Sequence, residues 1–174
     1  RTGKYALNPR CYQAEIVPTL ILTLNWAEVI SSAHRLDARL ESIEAKSREG
    51  FVFNVGIEPE HFLVCKNPDG SISPWDPAQV DTLDKPCYDF KGLCQAMGYL
   101  QDLTEGLNAL NWGVYQCDHE DANGQYEVNF DYADALTSAH RYTFFKMMTS
   151  QLACKYGCIA THMAKPFAHQ AGNG

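Results

Sequence analysis

Apolar tracts alternate along the chain with charged or glycine-marked breaks, and the spacing of the apolar positions changes from tract to tract. In "RLDARLESIEAKSREG", Leu36, Leu40 and Ile43 share one helical face, and Gly50 is placed to stop the helix. "FVFNVGIEPEHFLV" is rich in β-branched and aromatic residues and predicts a strand. "KNPDGS" predicts a turn, and Pro74, Pro77 and Pro86 hold the next stretch open. Asp89 is placed to cap a helix reaching about Leu110, along which Phe90, Leu93, Met97, Leu100, Leu103, Leu107 and Leu110 recur every three or four residues. Gly92, Gly98 and Gly106 each weaken that helix by about 1 kcal/mol relative to Ala, so packing must hold it.

"GVYQCDHE" and "QYEVNF" read as two strands joined by "DANG", whose Asn-Gly is a hairpin signal. Residues 133–156 predict a last helix with two apolar stripes. Leu136, Ala139, Met147 and Cys154 form one, and Phe145, Met148 and Leu152 lie nearly opposite, which implies burial on two sides. The order helix, strand, helix, hairpin, helix implies an α/β or α+β layer, with the sheet on one side and helices on the other. Residues 1–34, broken by Pro9 and Pro18, show no clear element.

Composition narrows the class. At 174 residues and 45% hydrophobic content, the chain is long enough for one domain with a core. A net charge of −7, with no Lys/Arg cluster, argues against a nucleic-acid partner and suits the handling of cations, or of anions bridged by cations. Seven cysteines without a CxxC point to reduced thiols in a cytoplasmic protein. Cys154, Cys158 and His162 are spaced like metal ligands on a helix, but Gly157 interrupts that spacing and buried thiols are the preferred reading. "IVPTLILTLNWAEVI" is broken by Pro18, Asn25 and Glu28 and is too short to span a bilayer, so a buried segment is expected there rather than a signal or membrane segment.

The candidate chemistry is a set of carboxylates. If "DANG" is a four-residue loop, Glu120 faces Gln125 and Asp118 faces Glu127, and all four side chains share one face of the hairpin. Opposed like charges repel unless something positive sits among them, and a divalent metal is the obvious candidate. Glu58 and Glu60 form a second i, i+2 pair around Pro59, where a proline suits a strand end or edge. Together the two pairs could line a cavity holding one or two metals. The same spacing also describes the wet face of an ordinary sheet, and spacing alone favours that blander reading.

The order of the tracts carries more. "GIEPEHFLV", "DHEDANGQYEVNF" and "ATHMAKPFAHQAGNG" resemble, in order and spacing, the G-x-E-x-E-F-F-L strand, the H-x-E-x-x-x-G-Q-x-E hairpin and the A-T-F-M-P-K-P-x-x-G-x-x-G-[SN]-G loop of the glutamine synthetases. The resemblance covers about Arg35 to Gly174, and "KPCYD" with "DHEDANGQ" resembles the branch of γ-glutamylmethylamide synthetases and type III bacterial enzymes. It implies a glutamine-synthetase-like catalytic domain over 35–174, incomplete, with a mostly antiparallel sheet and packed helices, and an N-terminal segment over 1–34 of uncertain assignment.

By position, the resemblance makes Glu60, Glu120 and Glu127 ligands of the metal that also positions glutamate, and Glu58 a ligand of a second metal bridging nucleotide phosphates. Tyr88 falls beside Glu120 at the ammonium or amine pocket, Gly172 in the loop holding the amino-acid end of glutamate, and Tyr132 near the adenine. The implied activity joins the γ-carboxylate of glutamate to ammonia or a small amine, using ATP and two or more Mg2+ or Mn2+ ions, in a cytoplasmic homo-oligomeric ring resembling a dodecamer. Neither nucleic acid nor a membrane is an implied partner.

Several positions depart from the family pattern. His61 replaces an aromatic residue, "HMAKP" from His162 replaces "FMPKP", and His169 stands where glycine is expected. Asp118 stands where other branches carry histidine, and Tyr115 where many carry a nucleotide-contacting glutamate. The sequence also stops at "GNG", before the family's H-x-H segment, which implies a fragment of a longer ligase. The alternative is a truncated, non-catalytic metal- or glutamate-binding relative that associates with or regulates a full-length ring.

Overall fold

The computed structural model describes residues 48–50 and 52–174, and the elements below all lie within the compact unit Asn54–Gly174. The segment 1–34 and nearly all of the helix expected over 35–50 lie outside the described residues. Gly50, its expected stop, takes φ +87, a conformation open to glycine.

The stretch expected as one strand is two. Asn54–Val55 (β1) and Glu60–Lys66 (β2) are separated at Gly56–Pro59 and belong to different sheets. Pro59 has no N–H to give a ladder, which is why β2 starts only after it. β1 pairs antiparallel with Ala133–Asp134 (β6) in a two-stranded sheet.

β2 is the hub of the five-stranded antiparallel sheet. After the "KNPDGS" turn, Ile72–Pro74 (β3) folds back on it, a strand concealed in the sequence by its terminal proline. Gln125–Phe130 (β5) pairs with β2 from Glu60 to Phe62, and Val114–His119 (β4) lies beyond β5. Leu63 marks a hand-over: its N–H donates to the Gly124 carbonyl and its carbonyl accepts from Trp75 N–H. One edge of β2 is thus shared by β5 and β3, and Ile159–Thr161 (β7) takes the other.

Asp89 caps its helix as expected, accepting from Gly92 N–H at 2.9 Å. The helix does not run unbroken to Leu110. It divides at Ala96 into Phe90–Gln95 (α1) and Met97–Ala109 (α2), where Ala96 N–H closes a tight turn onto the Leu93 carbonyl. The last helix, Ala135–Lys155 (α3), is capped by Asp134 through the Leu136 and Thr137 amides. Its buried face is Ser138, Phe145, Thr149 and Ala153, with Phe144 beside it; Met147 is half-buried and Cys154 exposed. Two-sided burial is therefore not found, because one stripe alone meets the layer beneath.

The period of two along the strands sorts the core. Toward the helices point His61, beside Tyr99 and Phe145, then Tyr126, whose hydroxyl donates to the Gly92 carbonyl, and Phe130, against Trp112 and Phe145. On the opposite face, Phe62 and Val64 pack with Ala122 and with Phe167 of the loop after β7. Fully burying Phe62 there contributes about 2–3 kcal/mol. That loop carries the chain from β7 back over the sheet to the carboxylates.

Candidate metal centre

The hairpin register places Asp118 opposite Glu127, and Glu120 N–H donates to the Gln125 carbonyl at 2.9 Å. On the other side of β5, Glu60 is paired with Glu127. Three adjacent strands therefore present carboxylates to one face. Oxygens of Glu60, Glu120 and Glu127 lie within 4.8 Å of one another, the one such group of three among the described residues. Burial pushes the Glu120 carboxyl up to about 7, helped by its hydrogen bond to Glu127 and the charges of Glu60 and Glu127. Burial also raises Glu60, with the charges of Glu127 and Asp121 adding to it. Without a cation, this cluster retains a proton near neutrality.

Side chains not singled out in the sequence hold the cluster in place. The buried Gln125 amide donates to Glu60 Oε2 at 2.8 Å, to the Gly172 carbonyl at 3.0 Å and to Asn173 Oδ1 at 3.1 Å. Gly174 N–H donates to the same Glu60 oxygen at 2.8 Å, and Asn129 donates to Glu127 Oε1 at 2.6 Å. The Gly172 loop is pinned in turn by Asn173, which bonds the Met163 and Ala164 carbonyls.

Beneath Glu120 lies a buried ion pair. His119 Nδ1 is 2.9 Å from the Glu120 carbonyl and Nε2 is 2.9 Å from Asp81 Oδ2. A carbonyl can only accept, and Asp81 also accepts from Asn123 and from Gly124 N–H, so both ring nitrogens donate and the imidazole is charged. Burial opposes that charge, but the Asp81 and Glu120 hydrogen bonds outweigh it and raise the His119 pKa. Asp81, likewise desolvated, is held below its ordinary value by His119, Asn123 and Gly124. In the sequence Asp81 sits in a proline-rich loop with no periodicity to mark it.

Glu58 is not on a strand and lies outside the trio; exposed, it lines a cavity of about 610 Å³ together with Glu60, Tyr115, Tyr132, Tyr142 and Gly174. The pairing of β4 with β5 slips between Val114 and Gln116. The extra residue, Tyr115, is turned out by this bulge into the cavity wall. Tyr88 has φ +62, is 72% exposed, and is tied by its N–H to the His119 carbonyl at 2.9 Å. Neighbouring Cys87, Asp118 and Glu120 raise its phenol pKa.

The two unusual histidines turn out to be neighbours. His61 and His162 extend the β2–β7 register by one pair, with ring centroids 5.6 Å apart. Burial lowers His61 to about 3, with His162 adding, and lowers His162 to about 4, with Lys146 adding. The pair is a neutral part of the core under β2. Cys154, Cys158 and His162 do not converge: Cys154 is exposed, Cys158 buried, and His162 Nε2 bonds Thr149.

A model of the glutamine synthetase catalytic domain matches residues 35–174. The chain belongs to the glutamine synthetase family. It is 45% identical over 144 residues to a glutamate–methylamine ligase of Methyloversatilis universalis, covering 81% of this chain and 32% of that protein. With a glutamine synthetase of Rhizobium meliloti it shares 43% identity over 129 residues, covering 74% and 28%. A solved structure of a GmaS/ADP complex superposes with TM-score 0.68 at 46% identity over 76% of this chain and 30% of that one. The chain thus spans about a third or less of the length of these relatives. A Plasmodium falciparum glutamine synthetase, 21% identical with TM-score 0.64, shares the fold. The fold is that of the family's catalytic domain, in part, with antiparallel sheets and packed helices. Among the described residues no helix is long and apolar enough to cross a membrane.

Proposed function

We propose that this chain is part of an ATP-dependent ligase that joins the γ-carboxylate of glutamate to ammonia or a small amine. The observation that carries the proposal is the convergence of Glu60, Glu120 and Glu127 beside the 610 Å³ cavity. Three hard oxygen donors that together retain a proton near neutrality suit a divalent cation such as Mg2+ or Mn2+. Bound there, the ion would neutralise charge on a transferring phosphoryl group. Glu58, on the cavity wall, would hold a second ion.

The remaining roles belong to the chain's own side chains. Tyr132, with Tyr115 and Tyr142, gives the cavity an aromatic wall for the adenine of ATP. The Gly172 backbone, pinned through Gln125 and Asn173, is positioned to hold glutamate beside Glu60. Transfer of the γ-phosphoryl group of ATP would give γ-glutamyl phosphate, and the amine would then displace phosphate. Glu120, with Tyr88 next to it, favours binding of the cationic amine and takes up its proton. A cytoplasmic homo-oligomeric ring follows by analogy with the family.

The test is glutamate-dependent phosphate release from ATP, measured separately with ammonium and with methylamine. The parent protein should release phosphate with one or both amines. Glu60→Gln and Glu127→Gln should abolish release while leaving the far-ultraviolet circular dichroism unchanged. Parental turnover in both variants would remove the metal assignment. Metal binding without any turnover in the intact protein that carries this chain would favour a non-catalytic, metal- or glutamate-binding relative.

A further inference from the structure

The β2–β7 ladder carries a feature outside the metal centre. Its register runs Phe62 to Thr161, Leu63 to Ala160 and Val64 to Ile159, and carried one residue past the end of β7 it sets Cys65 opposite Cys158, whose thiol donates to the Ala153 carbonyl at 3.4 Å. Leu63 directs its N–H and carbonyl to the other edge of β2, and Cys65, two residues on, does the same toward Ser73. In that extended register Cys65 and Cys158 take a non-hydrogen-bonded pair position, and Cys158 N–H accordingly turns away from β2 to the Ala153 carbonyl. There antiparallel Cα atoms lie about 4.5 Å apart and side chains approach most closely. That separation falls within the range a disulfide spans.

We infer that Cys65 and Cys158 form an oxidation site, a cross-strand dithiol that a peroxide converts to a disulfide. Both thiols are free in the structure. Cys65 is half-buried at the end of β2 and is the thiol a small oxidant reaches first, whereas Cys158 is only 4% exposed. The Cys65 thiolate attacks one peroxide oxygen, breaking the O–O bond to give a sulfenic acid and, after protonation of the leaving hydroxide, water. Cys158 sulfur then attacks the sulfenic sulfur, the S–S bond forms, and hydroxide leaves with the Cys158 proton as a second water. Two thiols and one hydrogen peroxide thus give one disulfide and two waters.

Burial pushes the Cys158 thiol up to about 12, with the nearby Cys65 and Cys154 sulfurs adding to the shift. That keeps Cys158 protonated and slow to react alone, so Cys65 meets the oxidant first and the second step rests on the neighbouring sulfenic acid being held against Cys158. Among the described residues no three sulfurs converge on a common ion, so a thiolate metal site does not compete. Among the described residues Cys154, exposed on the last turn of α3, also lies close enough to act on Cys158 and is the rival partner. The disulfide would tie β2 to the strand from which the loop to Glu60 departs.

Peptide mapping separates the possibilities, because cleavage after Lys66, Lys146 and Lys155 leaves the three thiols on separate peptides. The full chain is treated with hydrogen peroxide, alkylated under denaturing conditions and digested without reductant. The expected result is the loss of two alkylatable thiols and a linked pair of peptides, one carrying Cys65 and the other Cys158. Cys154→Ser should retain that pair, and Cys65→Ser should lose it. Linkage of Cys154 to either thiol in the parent chain, or full alkylation of Cys65 and Cys158 after treatment, would overturn the inference. The parent map alone distinguishes these outcomes, whether or not a variant folds.

Discussion

The side-chain amide of Gln125 reaches across the sheet to Oε2 of Glu60 at 2.8 Å, and the same nitrogen holds the Gly172 carbonyl. One buried side chain therefore couples a carboxylate of the cluster to the loop that closes over it. Its Oε1 is used as well, accepting from Ala122 N–H at 3.1 Å.

Replacing Gln125 by Glu turns this donor into an acceptor among acceptors. The Gly172 carbonyl loses its donor and Glu60 keeps only Gly174 N–H, and a buried unsatisfied group costs about 1–3 kcal/mol. The expected outcome is a lower denaturation midpoint with an unchanged m-value, and faster amide exchange at Asn173 and Gly174. Gln125→Glu with parental exchange at both amides would show that the loop is held by other contacts.

The Asp81–His119 pair sets a pH window for stability. Asp81 is held below its ordinary 3.8, so its contribution is full above pH 3.8 and lost as pH falls through its lowered pKa. His119 is raised above 6.5, so its contribution is full below pH 6.5 and lost as pH rises through its raised pKa. Between those limits Asp81→Asn should destabilise the fold by about 3 kcal/mol, because it strands a buried imidazolium. Melting temperatures of parent and variant across pH should differ most inside the window and converge above it. A constant difference at all pH values would mean that the pair is not ionic.

Gly92→Ala sets helix propensity against packing. Ala stabilises a helix interior by about 1 kcal/mol relative to Gly. Yet a Cβ at Gly92 would lie 2.4 Å from His119 Cδ2, on a ring fixed at both nitrogens. Forcing an extra carbon into such a site costs typically about 1–3 kcal/mol, so packing wins. Net destabilisation is expected in urea titration, and a stabilised variant would contradict the contact.

The same residue shows what the sequence can and cannot display. Gly92 reads as a weak point of a helix, because the ring it accommodates comes from a strand 27 residues later. Elements with their own local chemistry were legible: the Asp89 cap, the Asn-Gly hairpin and its register, the long α3. β3 and the break at Ala96 were not, since a proline-ended strand forms only against β2 and the break shows in no periodicity. Alternation on two tracts allowed a shared carboxylate cavity but by itself favoured a wet sheet face, and the family resemblance singled out Glu60, Glu120 and Glu127; the pairing of β5 with both β2 and β4 brings all three together. Asp81 and Asn129 act through contacts made only on folding, which no spacing announces.

The carboxylate cluster makes a last prediction about metal and protons together. Glu120 titrates at about 7, above its ordinary 4.5, so the folded chain without metal binds a proton there that the unfolded chain has released. By linkage, that group favours the fold at low pH, and its contribution is lost as pH rises through about 7. A divalent cation competes with the same proton, so Mn2+ should bind more weakly below pH 7 and release protons on binding near neutrality. Calorimetric titration in buffers of different ionisation enthalpy measures that release directly. Glu120→Gln removes the titrating group, so its binding should be weaker and much less dependent on pH around neutrality. If the parent shows the same flat pH profile as Glu120→Gln, the ion does not occupy this cluster.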